Sequence, residues 1–115
     1  MSDVIAEMLA SNKAEAIAWL RDGTPSSFRN LGEMETTEES IAFAQHFYDL
    51  GAASVLACRI AEYDQGQNSG HLLVQLPSDV GARERLFAAH RKHAESMGFE
   101  GEPDEGQAYL FMMLD

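Results

Sequence analysis

Two histidines, His90 and His93, stand three residues apart in a segment of helical periodicity. At that spacing two imidazoles share one helix face and can hold a metal ion. A metal centre needs a further ligand, from a Glu or from His46, and no HExxH run or Cys pair accompanies the histidines. His90 also falls inside the apolar stripe of its helix, so packing is the preferred reading, and no residue is assigned to a metal. Cys58, the one cysteine, stands between Leu56 and Ile60 in a strand-like run. Apolar burial raises a thiol pKa and leaves it a poor nucleophile, which favours a core role. Asp64-x-Gly66-x-Asn68 starts like a calcium loop, but Ser69 takes the position that needs glycine and Gln75 the position that needs a bidentate Glu. No phosphate-cradling GxxxxGK[ST] or GxGxxG and no Gly-x-Ser-x-Gly elbow occurs, so no catalytic residue and no cofactor is assigned.

Two groups of side chains remain. Strand alternation places Arg59, His71 and Gln75 on one sheet face, where a cation beside a titratable ring can bind an anionic ligand or move a proton. Glu100, Glu102, Asp104 and Glu105 crowd one short loop and form the candidate surface for a basic partner.

The elements that position these groups follow from periodicity and punctuation. Asp3 to about Arg21 reads as helix, with a possible break near Ser11–Asn12, where Asn12 and Glu15 have N-cap spacing. Gly23 and Pro25 form its stop signal. Ser27–Glu35 reads as extended, with Gly32 at a bulge or close approach. Thr36 and Glu39 have capping-box spacing and open a helix to Leu50, closed by Gly51. Ala53–Tyr63 and His71–Leu76 read as a hairpin across a turn-rich loop, and a helix capped by Ser78 or Asp79 runs to about Met97. A final strand, Gln107–Leu114, is apolar on both faces.

The order after residue 26 is β-α-β-β-α-β, which predicts an α+β, ferredoxin-like four-stranded antiparallel sheet in the order 4-1-3-2 with both helices on one face. Residues 1–22 form a helical extension and residues 27–115 the core of a single domain. Leu56, Cys58, Ile60, Leu72, Val74 and Leu76 are expected under the helices. Val55, Ala57, Arg59, His71, Leu73 and Gln75 then fall on the far face. The apolar last strand means that this far face needs a cover, either the N-terminal helix with Ile5, Leu9, Trp19 and Leu20 or a second copy of the chain.

The whole chain, at 115 residues, has room for one core. It carries 19 Asp and Glu against eight Lys and Arg, a formal charge of −11. That field argues against attachment to nucleic-acid backbones and anionic bilayers, and for encounter with a basic protein. The strand expected to carry stacking aromatics in an RNA-recognition module, Gly70–Pro77, has none. No targeting signal or membrane-length apolar run is present, so a cytoplasmic protein is expected.

The helix ending Arg21-Asp22-Gly23, the extended segment after it, the Thr36-capped helix ending Asp49-Leu50-Gly51-Ala52 and the acidic loop before the last strand share an organisation. In this order the chain resembles the B-type bacterial inhibitors of ribonuclease E. Phe99-Glu100-Gly101-Glu102 stands where that family has a Tyr-Asp-Gly-Trp-like segment. The resemblance implies a small acidic ferredoxin-like regulator without catalysis of its own. The sequence thus favours an interaction or regulatory protein, with a small-molecule binder or enzyme using Arg59, His71 and Gln75 as the alternative.

Overall fold

The computed structural model describes residues 3–24 and 27–114. Pro25, half of the first stop signal, lies outside them. The elements in chain order are α1 (Asp3–Ala10), β1 (Ala14–Glu15), α2 (Ala16–Arg21), β2 (Phe28–Leu31), α3 (Thr37–Asp49), β3 (Ser54–Cys58), β4 (Ala61–Tyr63), β5 (Gly66–Ser69), β6 (His71–Gln75), α4 (Val80–Ser96) and β7 (Tyr109–Met113).

An antiparallel sheet runs β1-β3-β6-β7, and a second sheet runs β2-β5-β4 with β2 and β5 parallel. The architecture is α+β, as the element order requires, but the strand order is not the expected 4-1-3-2. The segment expected as the first, central strand forms β2 and leaves the main sheet for the polar loop after β4. Phe28–Leu31 registers on Gly66–Ser69 there. This frees β6 to pair directly with β7.

The split comes from one turn. Arg59 has φ 48, a left-handed backbone, so the expected strand Ala53–Tyr63 breaks into β3 and β4. The α1–β1 connection holds the turn: Arg59 N–H donates to Ser11 Oγ (3.0 Å) and Ile60 N–H to Asn12 O (3.0 Å). Gly66 lets the new sheet close, because a Cβ there would lie 1.8 Å from Phe28 O.

Both faces of the main sheet are covered. Val55, Ala57, Leu72, Val74, Leu110 and Met112 face α2, α3 and α4, packing with Trp19, Leu20, Phe47, Leu86 and Phe87. Leu73 and Cys58 face α1, where Met8 is buried and Val4, Ile5 and Leu9 pack around it. The expected phase of β3 is therefore off by one residue: Leu56 and Cys58 lie on the α1 side and Val55 and Ala57 under the helices. The N-terminal segment does cover the far face, with Ile5 and Leu9 of α1. Trp19 and Leu20 belong to α2 and fill the other core.

The expected caps divide. Thr36 Oγ1 accepts from Glu39 N–H (3.0 Å) and Asp79 Oδ2 from Ala82 N–H (2.8 Å), as the spacing predicts. At α2 the cap is Glu15, not Asn12. Its carboxylate accepts from Ala18 N–H (2.7 Å), and Tyr48 Oη donates to it (2.6 Å). Among the described residues, no helix is long and apolar enough to cross a membrane.

Candidate functional site

β7 is an edge strand. Leu114 N–H donates to Gly70 O and Leu76 N–H to Ala108 O (both 2.8 Å), so the even-numbered residues of β7 bond to β6. By antiparallel alternation the N–H and C=O of Tyr109, Phe111 and Met113 turn outward. Unpaired edges of this kind have to be managed.

Helix α4 and the loop after it manage this one. Leu86, Phe87, His90 and Ala94 form the buried stripe of α4. His90 ends on the outer edge of β7, with Nε2 2.8 Å from Phe111 O. One turn on, His93 Nε2 lies 3.0 Å from Met113 O. A carbonyl oxygen only accepts, so in both rings Nε2 carries the proton and donates. Phe111 N–H donates in turn to Glu102 Oε2 (3.3 Å), which also lies 3.6 Å from His90 Nε2. Three side chains stand where the peptide groups of a neighbouring strand would be. The i, i+3 histidine spacing serves the edge, with both Nε2 atoms occupied by backbone. Among the described residues no three His, Cys, Asp or Glu side chains are grouped to hold a metal ion.

The acidic loop is anchored at its far end. Arg83 grips Asp104 through two hydrogen bonds, 2.6 and 3.2 Å, and also donates to Pro77 O and Gln107 O. The hydrogen bonds from Arg83 hold the Asp104 carboxyl below its usual value. Of the four candidate acids, Asp104 is thus committed internally, and Glu105 is exposed on the loop. Glu100 and Glu102 do something different.

These two carboxylates rim a cleft of about 280 Å³ between α4, β7 and the start of α1. Its walls are apolar, from Val4, Ile5, Ala94, Met97, Phe111 and Met112. Phe99 (54% exposed) and Met113 (41% exposed) flank it, two of the few large apolar side chains the described surface presents. His90 and His93 complete the lining. The histidines and the acids are legible separately in the sequence, whereas Phe99, Met113 and the outward edge of β7 join the site only in the fold. The signals are present, in Phe99 two residues past the expected helix end at Met97 and in a last strand apolar on both faces.

The second candidate group does not assemble in this way. His71 and Gln75 share one face of β6 but sit at its two ends, about 14 Å apart at the ~3.4 Å rise of a strand. His71 stacks on Phe111 with ring centroids 5.9 Å apart, and Gln75 Oε1 accepts from Ser54 Oγ (2.8 Å). Arg59 has left the strand at its left-handed turn and pairs with Glu7 of α1 (3.2 Å). None of the three lines the cleft. Cys58 is fully buried and burial pushes its thiol up. Asn68 of the calcium-like run ties the two sheet strands, donating to Asn30 Oδ1 and Gly32 O (both 2.9 Å).

No protein-family model, curated protein or solved structure matches the chain.

Proposed function

We propose that this is a noncatalytic interaction protein that binds a basic partner protein in the cytoplasm, with Glu100 and Glu102 as its contact carboxylates. One observation carries the reading. The single loop expected to be a partner surface sends two of its acids to the rim of an apolar cleft. A solvated loop that only kept the chain soluble would have no reason to flank exposed Phe99 and Met113. Apolar area supplies affinity and the charge of −11 supplies encounter rate and partner choice. The resemblance to B-type ribonuclease E inhibitors implies work of the same class, regulation of another protein by binding.

The test is affinity capture from native lysate with the full chain and with a Glu100→Gln/Glu102→Gln variant, at low and high salt. The expected result is a captured basic protein that is lost with the variant and weakened by salt. Capture of the same proteins by both forms, or of none, contradicts the proposal.

A further inference from the structure

We infer that the cleft between α4, β7 and α1 is an anchor site for one apolar side chain, aromatic or branched, of a linear peptide segment with a lysine or arginine beside it. This rests on the basic-partner reading and names what that partner presents.

Three observations select this occupant. The first is size. At about 280 Å³ the cleft lies just under the roughly 300–1,000 Å³ of small-molecule sites and suits a single side chain. The second is polarity. Nε2 of His90 and His93 is committed to Phe111 O and Met113 O, so neither offers a free Nε2–H to an occupant. His90 is 5% exposed, and its buried Nδ1 has no hydrogen-bond partner among the described residues. Glu100 and Glu102 add acceptors only. The carboxylate rim matches an ammonium or guanidinium group, which donates and does not accept, and is opposed to an anion. The third is charge. A second copy would bring another strongly acidic chain to the same rim, and like charges facing each other oppose that pairing.

The mode follows. The apolar side chain enters between Ile5, Met97 and Phe111, Phe99 and Met113 close over it, and the neighbouring cation meets Glu100 or Glu102. The buried anchor sets the affinity, and the rim charges set the encounter rate and its salt dependence.

Fluorescence anisotropy on the full chain tests this with short labelled peptides. One places lysines on either side of a phenylalanine, a twin has alanine in place of the phenylalanine, and a third has glutamates in place of the lysines. The lysine–phenylalanine peptide is expected to bind, the alanine twin about tenfold or more weaker and the glutamate peptide not at all. Phe99→Ala, at an exposed position where folding is not at stake, is expected to weaken the phenylalanine peptide and leave the alanine twin unchanged. If both lysine peptides bind equally and both fail with Glu100→Gln/Glu102→Gln, the anchor inference falls and the basic-partner reading stands. If binding ignores the Gln substitutions and salt, or no peptide binds, both fall. Phenethylamine binding as tightly as the peptide overturns the peptide assignment, and so does a self-associated form that the peptide dissociates.

Discussion

At the scale of single residues, three side chains, in two places, turn out to be occupied in ways their type does not announce. His90 and His93 have metal-site spacing, yet their Nε2 atoms cap an edge strand. The spacing was legible and its use was not, because the use depends on which backbone atoms of β7 turn outward. Tyr48 is the second case. Its hydroxyl donates to Glu15 Oε2 (2.6 Å) and accepts from Val55 N–H (3.0 Å), joining α3, the α2 cap and β3. Burial, then the hydrogen bond to Glu15, raise its pKa above the ordinary tyrosine value. The protonated phenol therefore contributes stability that is full below the unfolded pKa near 10 and is lost as pH rises through the higher folded pKa. Tyr48→Phe removes both hydrogen bonds and should cost about 1–3 kcal/mol at neutral pH. It should also flatten the alkaline fall in stability. Urea unfolding between pH 7 and 11 measures both, and an alkaline limb identical to wild type would refute the assignment.

At the scale of elements, legibility followed local chemistry. α3 could be read from Thr36 and Glu39 alone because a cap is a bond between near neighbours. The second sheet could not. Asp64–Gly70 has turn composition, and its strand β5 is held between the distant segment Phe28–Leu31 on one side and β4 on the other. The phase of β3 was hidden for a different reason. A strand covered by helices on both faces carries apolar residues on both, so alternation has no polar side to mark. The acidic loop was legible as charge, but its division was not: Asp104 is taken by Arg83, 21 residues away, while Glu100 and Glu102 reach the cleft.

Gly66 tests the second sheet directly. Any Cβ there meets the Phe28 backbone, so Gly66→Ala must push β2 and β5 apart. Overpacking alone should cost about 1–3 kcal/mol. Amide exchange should quicken at Phe28 and Gly32, which donate to Gln65 O (2.9 Å) and Ser69 O (2.8 Å), with the amides of β6 still protected. Unchanged exchange at those two amides would mean that the parallel pairing is not as described.

At the scale of the molecule, α1 has two jobs. It seals the outer face of the sheet, where Met8 is 1% and Leu73 0% exposed, and its Val4 and Ile5 wall the cleft. Met8→Ala should lower stability by about 2–5 kcal/mol. Deleting residues 1–10 while keeping Ser11 and Asn12, which hold the Arg59 turn, should expose Leu73 and Cys58 and promote association. Light scattering and thermal melting check this, and a monomeric truncated chain with the full-length melting temperature would contradict it.

The proposed binding is confined to the acidic-rimmed cleft, although the chain as a whole carries net negative charge. Its most direct test is a map of amide chemical-shift changes as the lysine–phenylalanine peptide is titrated into the isotope-labelled full chain at low and high salt. Shifts are expected to concentrate at Ile5, His93–Glu102 and Phe111–Met113 and to need more peptide as salt rises. Shifts spread evenly over the acidic surface, or centred on Arg59, His71 and Gln75, would contradict it.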